Sequence, residues 1–224
     1  MDTLLPRFFE FGAVCAFIYL LGYCYRGPSR AKTGFKVFSI GALVLVSIAA
    51  STPLWLTLAL AACAIGDYYL SRDGAAAFVK GVAAFAVGHL FYIALFLTDP
   101  LSDISLIITN SRIATLTFLA IMSIIMMSIL WFYAGKLRYA VLGYIGVITS
   151  MGIAAATLPW MPNYNIVMLG VAFFILSDLI LSMEMFLLSK QGWVGKLAPF
   201  LVWAFYWLAQ FSITAGLVLR GMQT

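Results

Sequence analysis

Residues 37–66 read VFSIGALVLVSIAASTPLWLTLALAACAIG, a run of thirty residues with no Asp, Glu, Lys or Arg. A helix needs about 20 apolar residues to cross the roughly 30 Å hydrocarbon core of a bilayer, so this run is too long for one crossing. The breaker Ser51-Thr52-Pro53 near its middle supplies a turn. The stretch therefore predicts two consecutive transmembrane helices.

The whole 224-residue chain has the same character, with 64% hydrophobic and 9% charged residues. Soluble domains carry about 25% charged residues, so this composition excludes a water-soluble globule, a disordered chain and a fibrous repeat. A span with its loop takes roughly 25 to 30 residues, which allows about eight spans and no added soluble domain. We expect an all-α integral membrane protein, one eight-helix transmembrane domain over residues 1–224.

Apolar runs that end at charged residues, Pro or Gly predict where these eight helices lie. The predicted spans are residues 8–25, 35–51, 53–71, 76–98, 112–133, 137–158, 164–188 and 197–219. A second long run without charge, residues 139–177, is divided by the breaker PWMPN at 159–163.

Lys and Arg residues are distributed unequally between the two sides of such a bundle. The loops after the first, third, fifth and seventh spans carry Arg26, Arg30, Lys32, Lys36, Arg72, Lys80, Lys136, Arg138, Lys190 and Lys196. The opposite side has Arg7, Arg112 and Arg220. The positive-inside rule therefore places both termini outside the cytoplasm, in a multi-pass protein of the inner membrane if the cell is bacterial. The scattered basic residues explain the net charge of +5, and nucleic-acid binding is excluded.

The three cysteines, Cys15, Cys24 and Cys63, all lie in apolar runs without CxxC spacing, and the chain has one histidine. This set supports neither a disulfide framework nor a Cys/His zinc site. We expect the cysteines to be packing residues, and we expect no metal or cofactor.

Asp178 and His89 are ionisable residues well inside predicted spans, and Asp67 lies about a turn from the cytoplasmic end of the third span. An ionised side chain in the bilayer costs a few kcal/mol or more, so such residues are functional candidates. The predicted topology puts both aspartates in the cytoplasmic half, where they would meet in one cavity. No Lys or Arg lies mid-membrane to neutralise them.

Other charged residues have simpler explanations. Glu10, Lys36 and Lys80 lie within a turn or two of span ends, where their side chains reach the interface by snorkelling. Glu184 lies nearer the cytoplasmic end of the seventh span, where it either pairs with Lys190 or Lys196 or is a further functional candidate.

Helical spacing places further polar residues on shared faces. The pairs are His89 with Tyr92, Asp178 with Ser182, and Tyr206 with Gln210, three or four residues apart. Each pair either forms interhelical hydrogen bonds that hold the bundle or belongs to a site around the aspartates.

Two buried carboxyl groups that share a proton provide a general acid beside a general base. This arrangement suits hydrolysis through a cationic transition state, and it also suits proton-coupled transport. Aspartyl intramembrane proteases also use two membrane aspartates, but their Gly-x-Gly-Asp element reads AIGD at 64–67. A hydrolase, a proton-coupled transporter and a lipid-binding membrane protein therefore stay open.

Four segments carry a resemblance to a known family. They are Gly66-Asp67, the pattern Phe78-x-x-Gly81-x-x-x-Phe85-x-x-x-His89-x-x-Tyr92, FFILSD at 173–178, and Tyr206-x-x-x-Gln210. In this order, and with eight predicted spans, the chain resembles the YhhN-like membrane proteins, which include the animal lysoplasmalogenases. It departs from many members at Lys36, which is followed by Val37 rather than by proline.

The resemblance implies a membrane hydrolase that cleaves the vinyl ether bond of lysoplasmalogens to a fatty aldehyde and glycerophosphocholine or glycerophosphoethanolamine. It implies that Asp67 and Asp178 are the catalytic aspartates. From the chemistry of vinyl ethers we expect one to protonate the alkene and the other, ionised, to stabilise the cation and deprotonate the water. Residues expected to orient these groups or the substrate are His89, Tyr92, Tyr206, Gln210, Lys36 and Ser182. Lys36, Arg72 or Lys80 would hold the phosphate of the lysophospholipid.

Overall fold

The computed structural model describes residues 4–189 and 191–222. Over these residues the chain forms eight α-helices. They are α1 (Leu4–Gly22), α2 (Arg30–Ala49), α3 (Leu54–Leu70), α4 (Ala75–Leu97), α5 (Asn110–Tyr133), α6 (Arg138–Ala155), α7 (Pro162–Phe186) and α8 (Trp193–Gly221). Short 3-10 turns precede α5 and α6, at Ile104–Ile108 and Gly135–Leu137. The all-helical class is confirmed, and every helix lies where a span was predicted, with ends displaced by five residues or fewer.

Helix α2 has the most displaced start, and the cause is a cap. The Ser29 side chain accepts a hydrogen bond from the backbone N–H of Lys32 at 3.1 Å, which satisfies an unpaired donor of the first turn. The helix therefore begins at Arg30 rather than near residue 35, and Lys36 lies in its second turn.

Seven of the eight described helices are long and apolar enough to cross a membrane, which indicates a multi-pass integral membrane protein. The remaining helix, α3, is apolar but has only 17 residues. At 1.5 Å per residue it is about 26 Å long, slightly short of a hydrocarbon core of roughly 30 Å.

The helices pack most extensively as the pairs α1–α2, α3–α4 and α7–α8. Two glycines bring the backbones of the last pair together: a Cβ on Gly170 would lie 2.8 Å from the Ala209 carbonyl oxygen, and one on Gly216 would lie 2.7 Å from that of Asn163. Small residues allow this close approach in membrane bundles. Helix α5 packs mainly on α6, and a cavity lies between α5, α6 and α7.

An ion pair joins the helices at the bundle end that holds the α8 C-terminus. Asp99, just after α4, pairs with Arg220 of α8 and accepts a hydrogen bond from the Tyr164 hydroxyl of α7 at 2.7 Å. The Arg220 guanidinium lies 5.2 Å from the centre of the Tyr164 ring. This cluster fixes the ends of three helices relative to one another.

Candidate active site

Asp178 on α7 is the centre of a hydrogen-bonded cluster formed by three helices. The Tyr144 hydroxyl of α6 donates to Asp178 Oδ2 at 2.7 Å. His89 Nε2 of α4 lies 3.2 Å from the same carboxylate oxygen and 3.0 Å from the Tyr144 hydroxyl. His89 is fully buried and Asp178 is 8% exposed. The three polar groups therefore lie within hydrogen-bond distance of one another, and Asp178 is the more accessible of the His–Asp pair.

The neighbours of His89 set its orientation. Its second ring nitrogen, Nδ1, lies 3.1 Å from the Met151 sulfur, and the Phe174 ring packs against the imidazole with centroids 4.6 Å apart. Both ring nitrogens therefore face acceptor atoms, a carboxylate oxygen on one side and a thioether sulfur on the other. Thioether sulfur is a weak acceptor, so the stronger contact is the one to Asp178.

The rotation of α7 is fixed by the residue before Asp178. The Ser177 hydroxyl donates to the backbone carbonyl of Val202 on α8 at 2.9 Å. Successive helical residues point about 100° apart, so Ser177 toward α8 leaves Asp178 toward α4 and α6. The Ser-Asp pair in the sequence therefore serves both packing and the site.

Asp178, Tyr144 and Ser182 line one end of a cavity of about 500 Å³ between α5, α6 and α7. The predicted shared face of Asp178 and Ser182 is confirmed, since both line this cavity. The side chains between its two ends are mostly apolar, and Arg112 and Trp160 line the end near the start of α5. The polar cluster around Asp178 therefore lies at one end of a mostly apolar cavity.

A second, smaller cavity lies on the other side of Asp178. It measures about 30 Å³, and its lining includes the polar side chains of Tyr144, Asp178 and Ser182 together with Phe85. A water molecule needs about 10 to 15 Å³ of such space and two to four polar partners. This space therefore has the size and the polar groups to accommodate a water molecule beside the carboxyl group.

Asp67 belongs to a different cluster. Its Oδ2 accepts a hydrogen bond from the Tyr206 hydroxyl of α8 at 2.7 Å, and its Oδ1 lies 3.2 Å from the Lys36 ammonium of α2. The ammonium also lies 5.8 Å and 5.7 Å from the ring centres of Tyr19 and Trp203. Asp67 is fully buried, and it is not among the residues that line either cavity at Asp178.

The predicted position of Lys36 at the membrane rim is wrong, and so is the expectation that the buried aspartates lack a basic neighbour. Because α2 begins at Arg30, Lys36 lies within the helix and turns inward, with 13% of its side chain exposed. An unpaired carboxylate in this interior would be strongly destabilising, and the ammonium compensates it. Lys36 is therefore engaged with Asp67 rather than placed for a substrate phosphate.

The structure places the two aspartates in separate polar clusters rather than in one cavity. Aromatic rings occupy the region between them: Phe174 packs against His89 and also against Tyr206, with centroids 5.5 Å apart in the second contact. The Asp178 cluster is the one that reaches a cavity.

Tyr92 and Gln210 form a third polar contact. The buried Tyr92 hydroxyl of α4 donates to the side-chain oxygen of Gln210 on α8. Tyr92 and His89, which are three residues apart, both pack against the Phe174 ring of α7, but their hydrogen bonds reach different helices. The Tyr92–Gln210 pair ties α4 to α8 and does not line the large cavity.

The remaining charged candidates lie near the cytoplasmic loops of the predicted topology. Arg72 lies over the Tyr68 ring at 4.4 Å, and Lys80 lies 5.7 Å from the Tyr69 ring centre; both basic residues are exposed. The pairing expected between Glu184 and Lys190 concerns a residue outside the described part of the chain.

Tyr144 is the site residue that sequence reasoning missed. It lies in the charge-free run 139–177, where a search for ionisable residues finds nothing. A signal was present, because Tyr144 is about two turns from the start of α6 and Asp178 is about two turns from the end of α7. Because α6 and α7 are antiparallel, these two positions lie at a similar depth in the bundle, so the Tyr144 hydroxyl was a candidate hydrogen-bond partner for Asp178.

Comparison with protein families agrees with the resemblance noted in the sequence. The model of the YhhN family matches residues 31–217, from the first turn of α2 to the last turns of α8, and the chain belongs to this family. No curated protein and no solved structure matches the chain. Membership is consistent with a membrane hydrolase.

Proposed function

We propose that this YhhN family member is a lysoplasmalogenase, a membrane hydrolase that converts a lysoplasmalogen into a fatty aldehyde and glycerophosphocholine or glycerophosphoethanolamine. The observation that carries the proposal is the Asp178–Tyr144–His89 cluster at the end of an apolar cavity. Such a site suits a substrate with a long apolar chain whose reactive bond lies next to a polar headgroup.

Hydrolysis of a vinyl ether begins with protonation of the alkene carbon remote from oxygen, which leaves an oxocarbenium ion. In the proposed resting state, His89 carries a proton on each ring nitrogen and Asp178 is ionised. A shift of the Nε2 proton across the 3.2 Å contact to Asp178 Oδ2 makes the carboxyl group a general acid at the cavity. Asp178 then delivers this proton to the alkene carbon.

The carboxylate regenerated by this step stabilises the adjacent cation in a low-dielectric site. A water molecule from the small cavity adds to the oxocarbenium carbon, and its proton passes to Asp178. The resulting hemiacetal collapses as its hydroxyl proton is transferred to the departing glycerol oxygen. One water is consumed, and the protein ends with the protons it had at the start.

The Tyr144 hydroxyl has a positioning role in this scheme. Its hydrogen bond at 2.7 Å holds Asp178 Oδ2, the oxygen that receives and delivers the proton, beside His89. The family resemblance also assigns Asp67 to catalysis, but its contacts with Lys36 and Tyr206 support a role in holding the α2–α3–α8 side of the site.

In the proposed topology all eight helices, including the short α3, cross the membrane as one domain, and both termini lie outside the cytoplasm. The Asp178 cluster then lies in the cytoplasmic half of the bilayer, which in a bacterium is the inner membrane. The exposed Arg72 and Lys80 at the cytoplasmic rim would attract the lipid phosphate.

Proton-coupled transport is the second candidate, and the buried Lys36–Asp67 pair favours it. Intramembrane pairs of opposite charge are typical of proton relays in carriers. This candidate requires proton uptake that depends on substrate in sealed vesicles, with no covalent product.

The decisive experiment measures fatty aldehyde after incubation of the purified protein with a lysoplasmalogen in detergent. We expect aldehyde from the wild type and at least a 100-fold lower rate from Asp178→Asn, because general acid catalysis contributes about 10² to 10⁴ in rate. Asp103→Asn, the same change at an exposed helix cap, is the matched control and keeps full activity. Absence of aldehyde with the folded wild type would refute the hydrolase, and full activity of Asp178→Asn would remove Asp178 from the mechanism.

A further inference from the structure

The length and the lining of the large cavity between α5, α6 and α7 indicate which part of a lipid it binds. We infer that it binds one unbranched hydrocarbon chain, with the reactive end of the lipid at Asp178, and that Gly152 determines how long a chain it accepts. The identity of the reactive end rests on the proposed function, whereas the chain site itself stands on the geometry of α5, α6 and α7.

The length of the cavity matches a single lipid chain. Tyr144 lines one end on α6 and Ala155 lines the other, eleven residues further along the same helix. At 1.5 Å per residue this separation is about 17 Å. One leaflet, half of a hydrocarbon core of roughly 30 Å, is about 15 Å thick. The cavity is therefore about as long as one extended chain in a leaflet.

The far end of the cavity is lined by Arg112, whose terminal guanidinium nitrogens already have hydrogen-bond partners. The Arg112 guanidinium donates to the backbone carbonyl of Leu158 at 2.7 Å and lies 4.2 Å from the centre of the Trp160 ring. A terminal methyl group gains nothing by displacing such contacts. The apolar middle and the two polar ends thus favour an amphiphile whose chain stops before Arg112.

Gly152 lets two side chains of the cavity wall pack closely against α6. A Cβ at this position would lie 2.7 Å from Leu119 Cδ2 of α5 and 3.1 Å from Ile175 Cδ1 of α7. All three residues line the cavity. Gly152 is eight residues beyond Tyr144, or about 12 Å along α6, so a longer chain must pass the point where these two side chains lie back against the glycine.

The contacts at Gly152 also make a substitution there tolerable for folding. Both neighbouring atoms are the ends of flexible side chains, which can move by rotation rather than by a backbone shift. They would move into the cavity and narrow it. An added methyl group at Gly152 therefore shortens the accessible channel while the helices keep their places.

The test measures binding separately from cleavage. The probes are lysophosphatidylcholines with saturated alkyl ether chains from octyl to octadecyl, which have no vinyl ether bond, and binding is measured by native mass spectrometry of purified protein. For the wild type, affinity calculated from the concentration of monomeric ligand in water should rise about fourfold for each added methylene until the chain fills the cavity, then level off. For Gly152→Ala, the rise should stop at a shorter chain.

Gly146→Ala is the matched control, since a Cβ at Gly146 on the same helix would have nothing within 4 Å. It should reproduce the wild-type profile. Ala172→Leu narrows the same cavity from α7 and serves as the second variant if Gly152→Ala does not fold. An unchanged profile in the folded variant, or a wild type without chain-length dependence, would overturn the inference. A normal binding profile without aldehyde release would refute the proposed function and leave the chain site standing.

Discussion

Replacement of Tyr144 by Phe tests the candidate site at its least expected residue. The change removes one oxygen atom, which donates to Asp178 at 2.7 Å and lies 3.0 Å from His89 Nε2. The ring stays, so its packing against the imidazole, with centroids 5.5 Å apart, is retained. The variant thus isolates the hydroxyl group from the shape of the side chain.

The magnitude follows from the kind of hydrogen bond that is lost. Hydrogen bonds to a charged group contribute about 1.5 to 3 kcal/mol, and Tyr144 donates to a carboxylate that the mechanism requires in a fixed position. Since each 1.36 kcal/mol corresponds to a factor of ten in rate, we expect kcat/KM to fall about ten- to 150-fold. The loss should be in kcat, because the hydroxyl positions Asp178 rather than holding the chain.

The assay couples aldehyde release to an aldehyde dehydrogenase and follows the reduced nicotinamide produced. Tyr139→Phe is the matched control: it makes the same change on the same helix, where Tyr139 is 74% exposed and its contact with Trp131 is between rings. It should have wild-type kinetics. A Tyr144→Phe rate within twofold of wild type, in protein with an unchanged melting temperature, would refute the proposed positioning of Asp178.

Two further predictions concern stability and are read from thermal unfolding in detergent. Lys36→Met leaves Asp67 buried without its basic partner and should destabilise the protein by about 3 to 5 kcal/mol. The control, Lys80→Met at the exposed rim, should change stability by about 0.5 kcal/mol or less. Equal melting temperatures for the two variants would contradict the Lys36–Asp67 pairing. Arg220→Gln removes the partner of Asp99, which has 3% of its side chain exposed, and should reduce the free energy of unfolding by a similar amount. A melting temperature lowered no more than that of Lys80→Met would contradict this prediction.

The helices were predictable because a helix that crosses a bilayer must be apolar and about 20 residues long, and both properties can be read directly from the sequence. Every described helix was located by its apolar run, and the breaker at 51–53 correctly separated α2 from α3. Hydropathy did not predict where α2 begins, because a capping hydrogen bond determines that position. Ser29 caps α2 five residues before the predicted start, and this difference decides whether Lys36 faces the rim or the interior.

The site was predictable only as far as one helix determines it. The shared face of Asp178 and Ser182 follows from helical spacing and was confirmed by the cavity lining. The partners of Asp178 come from α4 and α6, and that choice depends on how α7 is rotated and on which helices are neighbours. No spacing within α7 contains this information, so Tyr144 was missed and Lys36 was misplaced.

Burial alone does not distinguish the two aspartates, because both lie among apolar helices with hydrogen-bonded partners. Their partners do distinguish them. Asp67 is paired with the Lys36 ammonium group, which lies near the Tyr19 and Trp203 rings. Transfer of a proton from Lys36 to Asp67 would leave a neutral pair with no cavity beside it. Asp178 has an imidazole, a side chain that can both donate and accept a proton, and it lies at the end of the cavity. Chemistry requires both a movable proton and room for a substrate, and Asp178 is the aspartate that has both.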